Sequence, residues 1–351
     1  MKALNLYGIK DLRYEETKNP SIENPFEVII KVKAVGICGS DIHRFAQLGP
    51  YIPGMTWGHE FSGVVVEAGS EVENVKIGDR VTACPALYCG KCESCKKGEF
   101  ARCDALTVIG ARHPGAFAEY VKVPSENVVK IPDEVTYDMA AVIEPASVVV
   151  HGLYKTGMQP GDDIAILGCG TIGLLAIQWA KIFGAKNIFA FDIDDKKLEI
   201  AKSMGANHII NSLKDEPYKQ LEALTDGRMA DIVVESAGTT ITSAQAFSLG
   251  KKGGTVVYLG IPYGDVMVKR YYFEKIVRNE LKVLGSWNAI SAPFPGKEWI
   301  TTVYNLKVGN LNFNQLISHR VPLEEGPEIF NKIINKEGSF GKVILIPEEV
   351  K

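Results

Sequence analysis

Two patterns of apolar residues divide the chain. In the first part, apolar-rich runs at 27–35, 61–67 and 120–123 alternate with the turn signals Pro53-Gly54, Gly69-Ser70 and Gly78-Asp79. Extended runs bounded by such turns predict strands. Many short strands at this spacing predict a barrel or sandwich. From Thr136 the rhythm changes: a helical pattern over 140–154 leads into 163–167, a short apolar run that predicts a buried strand. Helical patterns at 171–183, 196–204, 217–224, 241–249 and 272–278 then alternate with strand patterns at 187–191, 208–210, 231–235, 255–259 and 281–284. Alternation of this kind predicts parallel strands joined by crossover helices, hence a doubly wound α/β sheet. Two helical patterns, 297–307 and 324–335, and a closing strand at 343–346 follow. The alternating block is therefore expected as a middle domain inserted into a non-parallel, β-rich one.

Composition narrows the classes. At roughly 100–200 residues per domain, 351 residues call for two domains or three. Apolar residues at 46% and charged residues at 23% are those of a folded globular protein and exclude wholesale disorder. A net charge of −3, from 39 basic and 42 acidic side chains, argues against a general nucleic-acid binder. No run approaches the ~18 apolar residues of a membrane span. The opening Met1-Lys2-Ala3-Leu4-Asn5 lacks the apolar core of a secretory signal, so a cytoplasmic protein with reduced thiols is expected. In that setting clustered cysteines bind metal more often than they pair.

The first chemistry-bearing motif is Gly168-Cys169-Gly170-Thr171-Ile172-Gly173, between a predicted strand and a predicted helix. In this context the first Gly makes the turn and the second admits a pyrophosphate. The third lets helix and strand pack closely, and the helix N-terminus faces the phosphate charge. Asp192, at the end of the next strand, is placed to accept both hydroxyls of an adenine ribose and to repel a 2′-phosphate, which favours NAD over NADP. Lys197 either braces the same ribose or is a solvated helix lysine. The bland alternative is a glycine turn and a surface Asp in a nucleotide-free domain.

Cys89, Cys92, Cys95 and Cys103 fall in one loop dotted with Gly and Lys. Four thiolates close a tetrahedral zinc site with no open position, the pattern of a structural metal. An iron–sulfur cluster or stacked disulfides are the other readings of four such cysteines. Cys38, His59 and Glu144, in contrast, lie far apart, and each taken singly is an ordinary core, turn or cap residue.

Taken together, Gly36-Ile37-Cys38-Gly39-Ser40-Asp41-Ile42-His43, Gly58-His59-Glu60, the four-Cys loop, Glu144-Pro145 and the glycine turn with Asp192 resemble the zinc-dependent medium-chain alcohol dehydrogenase family. The likeness runs along the whole chain and is stronger to the polyol branch than to the ethanol branch, which has Cys where Glu144 stands. Leu284-Gly285-Ser286-Trp287, the stretch 291–299 and Ile317-Ser318-His319-Arg320 look like members that oxidise hexitol phosphates such as galactitol 1-phosphate. The resemblance implies a GroES-like catalytic domain of residues 1–147 and 287–351 with an inserted Rossmann domain of residues 148–286. It implies two zinc ions per chain: a catalytic one on Cys38, His59 and Glu144, and a structural one on the four cysteines. Glu60 would approach the catalytic metal when the site rearranges, and Asp41 would orient His59. Ser40 and His43 would relay the released proton, with NAD as oxidant.

A phosphorylated polyol needs a cationic seat, for which Arg44, Arg112, His113, His319 and Arg320 are candidates. His151, His208, Cys84 and Cys169 are read as ordinary packing residues. The expected partners are a small polyol or polyol phosphate and a second copy of the chain, as homodimer or homotetramer, with no nucleic acid and no membrane. The enzymatic alternatives are a free-polyol (sorbitol- or butanediol-type) or an L-threonine dehydrogenase. A zinc-binding scaffold of the same fold without catalysis is the alternative from another class.

Overall fold

The computed structural model describes residues 1–347, and the chain divides into two compact units. One joins Met1–Glu144 to the chain from Ala289 onward; the other is Pro145–Asn288.

The first unit is β-rich. Its main sheet runs in the order Val128–Lys130, Arg80–Ala83, Glu60–Ala68, Glu27–Gly36, Lys342–Ile346, Ile317–Pro322, and Tyr120–Pro124 also pairs with Glu27–Gly36. The central strand Glu27–Gly36 carries Val28, Ile30, Val32 and Val35 into a core with Leu4, Phe45, Phe61, Phe117 and Phe330. Register places the chemistry. Gly36 pairs with Glu60 on one side and with Ile344 on the other, so three strands end or begin at one rim. Cys38, His59, Glu60 and Lys342 are thereby gathered from distant parts of the sequence.

The second unit holds a six-stranded parallel sheet in the order His208–Asn211, Asn187–Asp192, Asp163–Leu167, Ala230–Glu235, Gly250–Tyr258, Lys282–Gly285. In chain order this is 3-2-1-4-5-6, the doubly wound arrangement whose switch point lies between Asp163–Leu167 and Ala230–Glu235. The strand Asp163–Leu167 is buried along its whole length, as a central parallel strand covered on both faces must be. Leu167, Phe189, Phe191, Val233 and Val256 form a core separate from that of the first unit.

The α/β class and the parallel middle sheet are those expected from the patterning. Some elements differ. The chain opens with a hairpin, Lys2–Gly8 against Asp11–Glu16, whose short strands carry no turn signal beyond Gly8. Ile317–Pro322 is a strand that pairs in parallel with Lys342–Ile346. The helix expected over 324–335 begins two residues later, as Gly326–Ile334, because Pro327 fixes φ at its first turn and the residues before it form a tighter turn, Leu323–Glu325. The helix expected over 140–154 is divided into Tyr137–Ala140 and Ile143–Thr156.

Candidate active site and dinucleotide cradle

Cys38 precedes the short helix Gly39–His43, and its backbone N–H donates to the Asp41 carboxylate at 3.0 Å, which fixes the turn where the thiol projects. The ligand atoms of Cys38, His59 and Glu60 lie within 4.8 Å of one another. Glu144 is not part of that close group. It is a buried carboxyl in the first turn of Ile143–Thr156 that interacts electrostatically with His59 and Glu60. Asp41 Oδ1 stands 3.7 Å from His59 Nδ1, an ion-pair distance and not a hydrogen bond.

Lys342, one residue ahead of the closing strand expected at 343–346, completes the cluster. It is 3% exposed and donates to Glu60 Oε2 at 2.5 Å and to the Ile37 carbonyl at 2.9 Å. A lysine just ahead of an apolar run gives no local sign of such a role; only the sheet register reveals it.

Charge in this cluster is unbalanced. Three buried carboxyls, Asp41, Glu60 and Glu144, and the Cys38 thiol surround one imidazole and one ammonium. Burial pushes Glu144 up to about 7, against the pull of His59. Burial opposes a charge on His59, yet Asp41 and Cys38 hold its pKa well above the ordinary value. An excess of S, N and O donors, buried or half-buried, with too few cations is the donor chemistry of a zinc site, and the residues fit that ion. Ser40 is exposed two residues beyond Cys38, while His43 is half-buried; burial lowers its pKa and a hydrogen bond with Gln47 opposes that.

The four lobe cysteines also converge, with all four sulfurs within 4.8 Å of one another and Cys89 Sγ 3.9 Å from Cys95 Sγ. Zn–S bonds of ~2.3 Å in a tetrahedron put sulfurs roughly 3.8 Å apart. All seven cysteines are free thiols, which removes the disulfide reading. Backbone N–H groups of Lys91 and Cys92 lower the Cys89 thiol to about 6, favouring the thiolate a metal needs. Cys84 and Cys169 are buried, and burial raises both thiols.

In the second unit the glycine turn has the geometry a dinucleotide requires. Gly168 has φ +93°, and a Cβ there would lie 2.8 Å from Ala237 Cβ. A Cβ on Gly173 would overlap the Gly168 carbonyl oxygen, whereas at Gly170, the residue capping the helix Thr171–Ile182, it would meet open space. The cradle is thus closed where helix and strand pack and open where a pyrophosphate approaches. Asp192 accepts from Cys169 N–H at 2.6 Å and from Ile193 and Asp194 N–H at 2.7 and 3.0 Å. It anchors the turn as well as facing the end of the sheet. Lys197 is half-buried one helical turn on, with no carboxylate partner among the described residues. Glu235, not singled out in the sequence, accepts from Ala237, Gly238 and Thr242 and so shapes the loop that packs on Gly168.

Residues 24–133 match the alcohol dehydrogenase GroES-like domain, and residues 171–298 match the zinc-binding dehydrogenase model. The chain is 36% identical to galactitol 1-phosphate 5-dehydrogenase of Escherichia coli K12, covering 96% of this chain and 97% of that one. The chain belongs to the zinc-binding alcohol dehydrogenase family. It is an oxidoreductase acting on CH–OH groups, not a bare metal-binding scaffold, and zinc and a nicotinamide dinucleotide are its cofactors. The dehydrogenase is also 34% identical to sorbitol dehydrogenase of Bacillus subtilis, over 99% of this chain and 97% of that one. Its fold superposes on the crystal structure of galactitol-1-phosphate dehydrogenase from Escherichia coli with a TM-score of 0.94 at 35% identity, covering 99% and 100% of the two chains. No helix of the described residues is long and apolar enough to cross a membrane.

The other cationic candidates of the dehydrogenase differ in their surroundings. Arg320 is paired with Asp138, His319 Nδ1 is hydrogen-bonded to Ser318 at 2.8 Å, and His113 Nε2 to Thr107 at 3.0 Å. His208 stacks on Phe189, and His151 is buried in Ile143–Thr156.

Proposed function

We propose that this enzyme oxidises a secondary hydroxyl of a polyol phosphate to a ketone with NAD, galactitol 1-phosphate to tagatose 6-phosphate being the leading pair. The observation that carries the reading is the Cys38–His59–Glu60 cluster, two half-buried donors and one buried carboxyl, with buried Glu144 interacting with it, a mixed donor set short of positive charge. The similarity to galactitol 1-phosphate 5-dehydrogenase over nearly the whole chain supports the substrate.

In this reading Cys38, His59 and Glu144 hold the catalytic zinc, and Glu60, tethered by Lys342, is close enough to approach it. Cys89, Cys92, Cys95 and Cys103 hold a structural zinc. When bound, zinc supplies a Lewis acid for the alcohol oxygen and NAD the two-electron acceptor. Ser40 and His43 lead the released proton toward water, and burial keeps His43 neutral and able to accept it. Gly168, Gly170, Thr171, Ile172 and Gly173 seat the pyrophosphate. Asp192 and Lys197 take the adenine ribose, with Asp192 repelling the 2′-phosphate of NADP. Residues 1–147 and 287–351 form the catalytic domain and 148–286 the NAD-binding domain.

We also infer a cytoplasmic homodimer or homotetramer that pairs through the nucleotide domain. The edge strand Lys282–Gly285 exposes Val283, and Tyr271, Phe273 and Val277 of Arg270–Arg278 are exposed as well. Unpaired edges of this kind invite a second copy. The similarity to sorbitol dehydrogenase keeps a free polyol as the second substrate reading.

A substrate panel with zinc supplied tests the proposal. Galactitol 1-phosphate should give the highest kcat/KM among itself, sorbitol, butane-2,3-diol and L-threonine; a higher value for any of the other three overturns the assignment.

A further inference from the structure

Resting on the reading of a phosphorylated substrate, we propose that Arg44 and Arg112, gathered on the ring of Tyr51, form the seat for the substrate's phosphate. The chain has nine arginines. Seven of them lie within 4.0 Å of a carboxylate, as Arg320 does with Asp138 and Arg228 with Asp231. Arg44 and Arg112 have no carboxylate partner among the described residues, and they are the two that share an aromatic ring. The Arg44 guanidinium lies 3.4 Å from the Tyr51 ring centroid and that of Arg112 lies 4.3 Å from it. Stacking on a ring face steadies a guanidinium but does not neutralise it. Two uncompensated positive groups held against one ring repel each other, and a dianionic phosphate relieves that repulsion while meeting the planar donor forks of both.

The position suits a phosphate on the substrate of the Cys38 cluster. Arg44 follows Cys38 by six residues along the helical stretch that begins at Gly39, a rise of about 9 Å. Its Nη1 also donates to the Gly49 carbonyl at 3.3 Å, which ties down the loop leading to Tyr51. Tyr51 precedes Met55–Thr56, the strand that runs into His59. Arg112 lies in the segment whose Gly115, Ala116 and Phe117 N–H groups bond the carbonyls of Thr56, Gly58 and Trp57. The three side chains therefore rise from the same segments that present Cys38 and His59. The remaining cationic candidates, His113, His319 and Arg320, are already engaged by protein groups.

The test compares galactitol 1-phosphate with galactitol on the zinc-loaded enzyme and on Arg112→Gln and Arg44→Gln. Arg112 is exposed, so its variant tests the seat even if the half-buried Arg44 variant fails to fold. The ratio of kcat/KM for galactitol 1-phosphate over galactitol should fall by about 10- to 100-fold in each, the loss expected for one charge-assisted contact, with the change in KM and not in kcat. Inorganic phosphate should inhibit the wild type competitively and the variants weakly. A purely structural role would lower both substrates together and leave the ratio intact. A high wild-type ratio that persists in both variants overturns the seat but not the substrate reading. A wild-type ratio near one overturns the substrate reading and the seat with it.

Discussion

Burial decides what each titratable side chain around Cys38 can do. Asp41, Glu60, Glu144 and Lys342 are removed from water within one small volume, and isolated buried charges of that kind are expensive unless paired or bound to a metal. The Lys342–Glu60 pair settles part of the imbalance, and a zinc ion bound as proposed would settle the rest. The two cysteine sites should accordingly fail in different ways. On the proposed assignment Cys38→Ser takes a ligand from the open, mixed site, so turnover should be abolished in a folded protein carrying one fewer zinc, measured by activity and metal analysis. Cys92→Ser removes one wall of a closed four-sulfur cage whose loop has little apolar packing of its own. It should lower the melting temperature or cause aggregation, because such a metal supplies folding energy to the loop it closes. A Cys92→Ser protein as stable as the wild type, with unchanged metal content, would remove the structural site.

Among the elements, the parallel sheet of the second unit has a distinct polar end. At the N-terminal edge of its central strands, Arg228 donates to Asp231 at 2.8 and 2.9 Å and to Asp163 at 2.9 Å, and Lys251 also meets Asp231. Burial raises Asp231, but hydrogen bonds from Arg228 and Lys251 outweigh it and hold the carboxyl below its ordinary value. A carboxyl with a lowered folded pKa adds stability that is present above its unfolded pKa and is lost as the pH falls through the folded one. Arg228→Gln should therefore destabilise the protein at neutral pH, with the difference from wild type shrinking as the pH falls below about 4; urea titrations across that range measure it. Elements of this sheet were legible in the sequence because fully buried parallel strands and amphipathic crossover helices differ sharply in period, and Gly168 and Asp192 mark the first crossover. The opening hairpin and Ile317–Pro322 were not, since short half-buried strands leave too few positions to set a period. Cys38 and His59 were individually visible, but Lys342 was not. Its partner is set by which strands pair, a long-range property that neither residue type nor spacing encodes.

At the scale of the whole molecule, each unit has its own hydrophobic core, and the sequence rhythm located the change from one to the other. The near-neutral charge is consistent with a small substrate and two small cofactors. Assembly is where the surface becomes informative. Val283 is 45% exposed on the edge strand of a sheet whose central strand is buried throughout. On the proposed pairing through this edge, Val283→Lys should turn a dimer or tetramer into a monomer in sedimentation velocity, since a charge on an edge strand is a natural block to strand pairing; an unchanged sedimentation coefficient overturns pairing through this strand.

The threading of the first unit also bears on how the protein is made. Its central strand Glu27–Gly36 is flanked by Lys342–Ile346, and Lys342 closes onto Glu60 from the far end of the chain. The second unit is contiguous and can fold while translation continues, as domains generally do from the N-terminal side. The first unit has to wait. Until the last strand leaves the ribosome, Glu60 is without its ammonium partner and the rim that gathers Cys38 and His59 lacks one wall. A nascent chain that has emerged from the ribosome as far as residue 288 but not yet to residue 342 would thus hold a complete second unit while the rim around Cys38 stays unfinished.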